Sequence, residues 1–125
     1  MTINHKQTVE HFNLIFENSK YTKLDYSGKK DVDIAIRYVA ELFNTTHIQS
    51  CLISIIFMFT MDDTEVGFER LLKFLGFDLQ DYFDLQSDIQ MLLDKGHIKY
   101  RRENRSNNLY NSNFSINQKI IDANP

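Results

Sequence analysis

Apolar side chains recur along this chain first at helical spacing and, toward its end, at strand spacing. Val9, Phe12, Ile15 and Phe16 fall on one side of a short helix over Thr8–Glu17. Asn18–Lys30 is polar, contains Gly28 and keeps no period. It reads as a connector whose Tyr21, Leu24 and Tyr26 pack down on the domain. Asp31 or Asp33 then caps a helix running to Phe43, with Ile36, Val39, Leu42 and Phe43 as its buried side. Asn44-Thr45-Thr46 breaks that helix. His47 to Thr60 is apolar nearly all round, which suits a helix enclosed by the rest of the domain. Its β-branched isoleucines also permit a strand, and its length decides for helix.

From Thr64 to Ile116 the pattern becomes helix, short turn, helix and hairpin, and the rest of the chain is organised around it. Asp62 and Glu65 stand at capping-box spacing for the first helix, and Gly67 falls in its first turn. Phe68, Leu71, Leu72 and Leu75 line one face, and Gly76 stops the helix because glycine accepts a left-handed C-cap. Asp78 offers its carboxylate to the free amides of the next helix. Leu79, Tyr82, Phe83, Leu85, Ile89, Leu92 and Leu93 line that helix before Gly96 ends it. His97–Arg102 and Leu109–Ile116 read as two strands joined by the polar run Glu103–Asn108, with Ile98 and Tyr100 packing inward. The expected class is mainly α with a small β-hairpin, α+β.

The chain has 125 residues, material for one domain. The expected division is an N-terminal helix and connector over 1–30, a folded domain over 31–116, and a C-terminal tail or linker over 117–125. Ile120 and Ile121 stand in an otherwise polar tail ending at Asn124-Pro125, which reads as a domain taken from a longer polypeptide at a linker, with a naturally short protein as the alternative. A composition 42% hydrophobic and 13% aromatic predicts folding rather than disorder. The opening Met1–Gln7 is too polar for a secretory signal. The longest apolar run, Cys51–Met61, is about half the ~20 residues a spanning helix needs. A soluble, cytoplasmic protein with no membrane contact is expected.

Candidate chemistry is sparse. The sequence has no G-x-S-x-G, H-E-x-x-H, cysteine pair, dinucleotide fingerprint or Walker motif, so the segment is not expected to be an enzyme. Gly28-Lys29-Lys30 is no phosphate loop, because position 23 is lysine and no hydroxyl residue follows the lysine pair. Cys51 lies in an apolar run and reads as a packing residue. His5, His11 and Lys6 read as solvated, and the histidines fit no metal-ligand spacing with His47 or Cys51. Asp62, Asp63 and Glu65 read as a helix start rather than a metal or acid–base cluster. No metal or cofactor is expected.

Charge placement is more informative. The net charge of -3 means that any nucleic-acid contact must come from a local patch. In the second helix of the pair, Asp78, Asp81, Asp84, Asp88 and Asp94 oppose Lys95 alone. Duplex DNA presents one phosphate charge per ~1.7 Å, so such a helix is repelled from the major groove. Asp78 and Asp81 suit the positive end of the helix, whereas Asp84 and Asp88 are expected to face solvent or a basic partner. Gln80, Gln86, Ser87 and Gln90 have base-reading chemistry, but exposed amides on a helix are usually just solvated. The hairpin is the reverse. Lys99, Arg101, Arg102 and Arg105 oppose only Glu103, with Asn107 and Asn108 beside them, a set suited to clamping phosphates or entering a minor groove. The same charges also keep an edge hairpin soluble and unpaired.

The run Val66–Gly76, then Leu85–Ile98 ending in Leu92-Leu93-Asp94-Lys95-Gly96-His97-Ile98, resembles the winged helix-turn-helix superfamily over residues 31–116. The chain is also similar to the winged-helix segment preceding the ATPase module of some bacterial AAA-type ATPases. In those, a leading helix and polar connector come first and a linker follows. The resemblance implies a noncatalytic accessory or regulatory domain whose ATP site lies outside this chain. Its partner would be another protein, the rest of its own larger chain, or duplex DNA through the wing, and a homo-oligomer is compatible with it. The alternative is a stand-alone winged-helix transcriptional regulator, dimeric through its N-terminal helices. The acidic helix departs from DNA-binding relatives.

Overall fold

The computed structural model describes residues 5–62, 66–100 and 113–116. Helix α3 (His47–Met61) is the centre of the molecule, and from Gln49 to Phe57 every one of its side chains is buried. An enclosed helix must also satisfy its own polar groups. The hydroxyls of Ser50, Ser54 and Thr60 each donate to a carbonyl one turn back, at 2.6, 2.8 and 2.8 Å. Thr46 and Gln49 close a reciprocal capping box at its start.

Helices α1 (His5–Glu17) and α2 (Lys30–Phe43) pack on α3 and on each other. α1 begins earlier than its apolar pattern suggests and buries Thr8, Phe12 and Ile15, leaving Val9 exposed. α2 buries Val32, Ala35, Ile36 and Val39. Neither Asp31 nor Asp33 is its N-cap. Lys29 holds that position without a side-chain bond, and both aspartates sit inside the first turn, where they favour the helix dipole. The connector wraps the other half of the molecule. Its Tyr21 and Lys23 amides donate to the Phe74 and Leu75 carbonyls, at 2.9 and 2.8 Å. Tyr26 is buried and Leu24 packs on the core, whereas the Tyr21 side chain stays exposed.

The second half runs β1 (Val66–Gly67), α4 (Phe68–Leu75), a 3-10 turn (Leu79–Asp81), α5 (Tyr82–Asp94), β2 (Ile98–Tyr100) and β3 (Asn113–Ile116). The strands form one antiparallel sheet in the order β1-β3-β2. β1 was not expected. Val66 and Gly67 pair with Phe114 and Asn113, so the helix expected from Glu65 starts at Phe68 with Gly67 as its N-cap. Asp62 is the C-cap of α3 rather than the start of α4, and Asp63 and Glu65 lie outside the described residues. Gly76 does end α4 in the left-handed conformation, at φ +83°. Ile98 pairs with Ile116 and both are buried, while the expectation for the Tyr100 side chain lies outside what is described. Residues Phe12, Tyr26, Ile56, Leu92, Ile98 and Ile116 belong to one continuous core. Among the described residues no single helix is long and apolar enough to cross a membrane. α2 and α3 pass that test only as a pair, bent by 92°. The chain is thus mainly helical with a small antiparallel sheet, an α+β architecture.

Candidate functional site

α5 has two faces. Leu85, Ile89 and Leu92, spaced four and three residues apart, form the stripe that enters the core. Phe83 stands two positions before Leu85, about 200° away round a helix of 3.6 residues per turn, and is 75% exposed. It does not line the core as its apolar character suggests. Met91, two turns further along, shares that outward side and is 44% exposed, with exposed Ser87 and Gln90 between them. The Phe83 ring is edge-on to Tyr82 at 5.2 Å, and Tyr82 rests on buried Phe68 at 4.8 Å. The exposed aromatic ring is therefore braced from the core.

The acidic residues divide between local work and solvent. Asp78 accepts from the Gln80 amide at 3.1 Å, and Asp81 accepts from the Asp78 amide at 2.9 Å, so both shape the turn into α5. Asp88 is engaged within the chain. It is half-buried and accepts from Gln49 Nε2 at 3.2 Å, which places its charge near the positive end of α3. Gln49 therefore joins the two helices, its oxygen on the Thr46 amide and its nitrogen on Asp88. Asp84 is exposed as expected, and Asp94 accepts from Gln90 at 3.0 Å. Lys95, next to Asp94 in sequence, turns back and donates to the Asn44 carbonyl at the end of α2, at 2.9 Å. Among the described residues the ion pairs are Arg37–Asp33 and Lys73–Glu69, so neither Asp84 nor Asp94 has a cationic partner there.

Of the basic hairpin, Lys99 is exposed on β2, opposite Ser115. Arg101, Arg102, Arg105, Asn107 and Asn108 lie outside the described residues.

Elsewhere the chemistry is structural. Cys51 is buried beside Tyr26, and burial pushes its thiol up to about 12, which keeps it protonated and inert. The Ser19 hydroxyl donates to the Ile15 carbonyl, so Tyr26 is the donor in its 2.6 Å bond to Ser19, and burial raises the phenol's pKa. His11 is not simply solvated. Its ring lies 4.2 Å from Tyr38, and burial lowers its pKa. Among the described residues no three His, Cys, Asp or Glu side chains gather as a metal site. A depression of about 430 Å³ lies between the 24–30 loop and His47. Its Lys29 and Lys30 are offset by Asp25 and Asp33, and those carboxylates are already engaged by Ser27 and Arg37.

The outward face of α5 escapes a sequence reading that sorts residues only by polarity. The available signal is phase, since Phe83 and Met91 are out of step with the Leu85–Ile89–Leu92 stripe. In comparison with protein-family models, curated proteins and solved structures, the chain matches none.

Proposed function

We propose that this chain is a noncatalytic winged helix-turn-helix module, carrying two extra N-terminal helices, that serves as a protein-docking accessory or regulatory domain of a larger AAA-type ATPase. The fold reading is supported by the succession α3, β1, α4, α5, β2, β3 and by a sheet whose last strand lies between the first two. In that arrangement α5 takes the place of the groove-reading helix. The observation that carries the function is its outward face, which offers Phe83, Met91, Asp84 and Asp94 and no cation where a major-groove reader needs positive charge. The wing cations Lys99, Arg101, Arg102 and Arg105 supply a second contact, to carboxylates of a partner or to phosphates.

Fluorescence anisotropy with mixed-sequence duplex DNA, titrated with salt, separates protein docking from groove reading. Weak binding that disappears with salt, is lost when Arg101, Arg102 and Arg105 become alanine, and ignores Gln90→Ala is the expected result. Tight binding that depends on Gln86, Ser87 and Gln90 would instead establish a DNA-binding regulator.

A further inference from the structure

We propose that the outward face of α5 binds a basic amphipathic helix of another protein, with Phe83 and Met91 as its two apolar contacts. The proposal rests on the protein-docking reading above and names the partner's chemistry. Phe83 and Met91 are eight residues apart, about 12 Å along α5. That spacing matches apolar side chains two turns apart on a second helix laid alongside. Between the two contacts stand the exposed, uncharged Ser87 and Gln90.

Charge decides which helix fits. Asp84 flanks this strip on one side, Asp94 closes its C-terminal end, and neither has a cationic partner among the described residues. Lys95, adjacent to Asp94 in sequence, is held on the Asn44 carbonyl instead. An acidic or neutral amphipathic helix would therefore bury unpaired carboxylates. One carrying lysine or arginine beside its apolar stripe would pair them at the rim, where such charges set orientation and association rate. The same carboxylates oppose a nucleic acid. Phe83 gives the contact its anchor, because a braced aromatic ring loses little freedom when it is covered.

The test uses the full 125-residue chain and a fluorescein-labelled helical peptide of about 18 residues, five turns, built from leucine, lysine and alanine with leucine on one face. Controls are a scrambled peptide of equal composition and a version with glutamate for lysine. Saturable micromolar binding is expected for the amphipathic basic peptide only. It should weaken at least about tenfold in Phe83→Ser/Met91→Ser, the scale of loss at an aromatic anchor. It should also weaken in Asp84→Lys/Asp94→Lys, whose preference should shift toward the glutamate peptide. Both variants change exposed side chains, and unchanged circular-dichroism melts would show that they fold.

Equal binding of the scrambled peptide would overturn the proposal by reducing it to general charge attraction. Binding unaffected by Phe83→Ser/Met91→Ser would overturn it too. Light scattering that finds the native chain self-associated through Phe83, with peptide excluded, would assign the face to a second copy. Absence of both peptide and duplex binding would overturn this proposal and leave the docking reading standing. Duplex binding lost in Phe83→Ser/Met91→Ser would overturn both.

Discussion

α4 and α5 follow one another across a short turn, and each is rich in apolar residues, yet they dispose of them differently. In α4 every apolar side chain goes inward. Phe68, Leu71, Leu72 and Leu75 are buried, and Phe74 packs between Phe16 and Phe59 at 5.0 and 5.3 Å. In α5 the inward stripe takes Leu85, Ile89 and Leu92, and Phe83 and Met91 are left in solvent. A helix that folds with more apolar residues than its core face accepts has a second surface to explain. The contrast teaches that α4 spends all its apolar side chains on the core, whereas α5 spends only one side and leaves Phe83 and Met91 exposed on the other.

The comparison breaks most readily at the core stripes. Leu92→Ala should destabilise the chain by about 2–5 kcal/mol, as should Leu71→Ala, because each leaves a cavity among fully buried neighbours. A loss below about 0.5 kcal/mol for Leu92→Ala in a denaturant titration would mean that α5 does not face inward there.

The next effect lies at the end of α4. Gly76 has φ +83°, and a Cβ there would meet the Tyr21 Cα at 3.0 Å. Gly76→Ala combines a left-handed alanine with a clash against the connector, so a cost of about 1–3 kcal/mol is expected by the same titration. A neutral result would show that the connector yields and does not clamp α4.

Thr46→Ala removes one half of the capping box on α3 and should cost about 0.5–2 kcal/mol. The Gln49 side chain keeps its bonds to the residue-46 amide and to Asp88 in that variant, so a loss beyond this range in a denaturant titration would contradict the assignment of the cap to the Thr46 hydroxyl.

Acid should produce a smaller loss. Burial, reinforced by the Lys95 charge, holds His97 below its ordinary 6.5 despite a bond to the Phe43 backbone. His11 is shifted the same way, chiefly by burial. The unfolded chain therefore binds more protons than the folded one just below pH 6.5, and stability must fall as pH falls through that window. Denaturation midpoints measured between about pH 7.5 and 5.5 should decline, and less steeply in His97→Gln. Midpoints that rise as pH falls would contradict the packing of His97 against Phe43.

The smallest effect is expected at the free face. Phe83→Ser should alter stability by less than about 0.5 kcal/mol, since that residue is three-quarters exposed. A large loss would place Phe83 in the core and remove the distinction between the two helices.

Much of this architecture is legible from periodicity, because the five α-helices among the described residues bury faces that repeat along the chain. The all-round apolar character of α3 announces its central place, and Phe68, Leu71, Leu72 and Leu75 mark the buried face of α4. What periodicity conceals is set by distant partners. β1 has two residues and exists only because β3 supplies its ladder. Asp88 resembles a solvent-facing charge until Gln49, far away in sequence, accounts for it. Tyr21, Lys23 and Leu24 take left-handed backbone with no glycine among them, in the segment whose amides answer the carbonyls at the end of α4. Phe83 shows the opposite failure. The phase was present in the sequence, but an aromatic side chain suggests a core, and only the packing of Leu85 and Ile89 shows which side the core occupies.

The most direct test is a two-dimensional amide NMR titration of the chain, first with the basic amphipathic peptide and then with duplex DNA. The account predicts that peptide shifts the amides of Phe83, Ser87, Gln90 and Met91, while α4 stays still and duplex leaves α5 untouched. Shifts along α5 on adding duplex, with none on adding peptide, would contradict it.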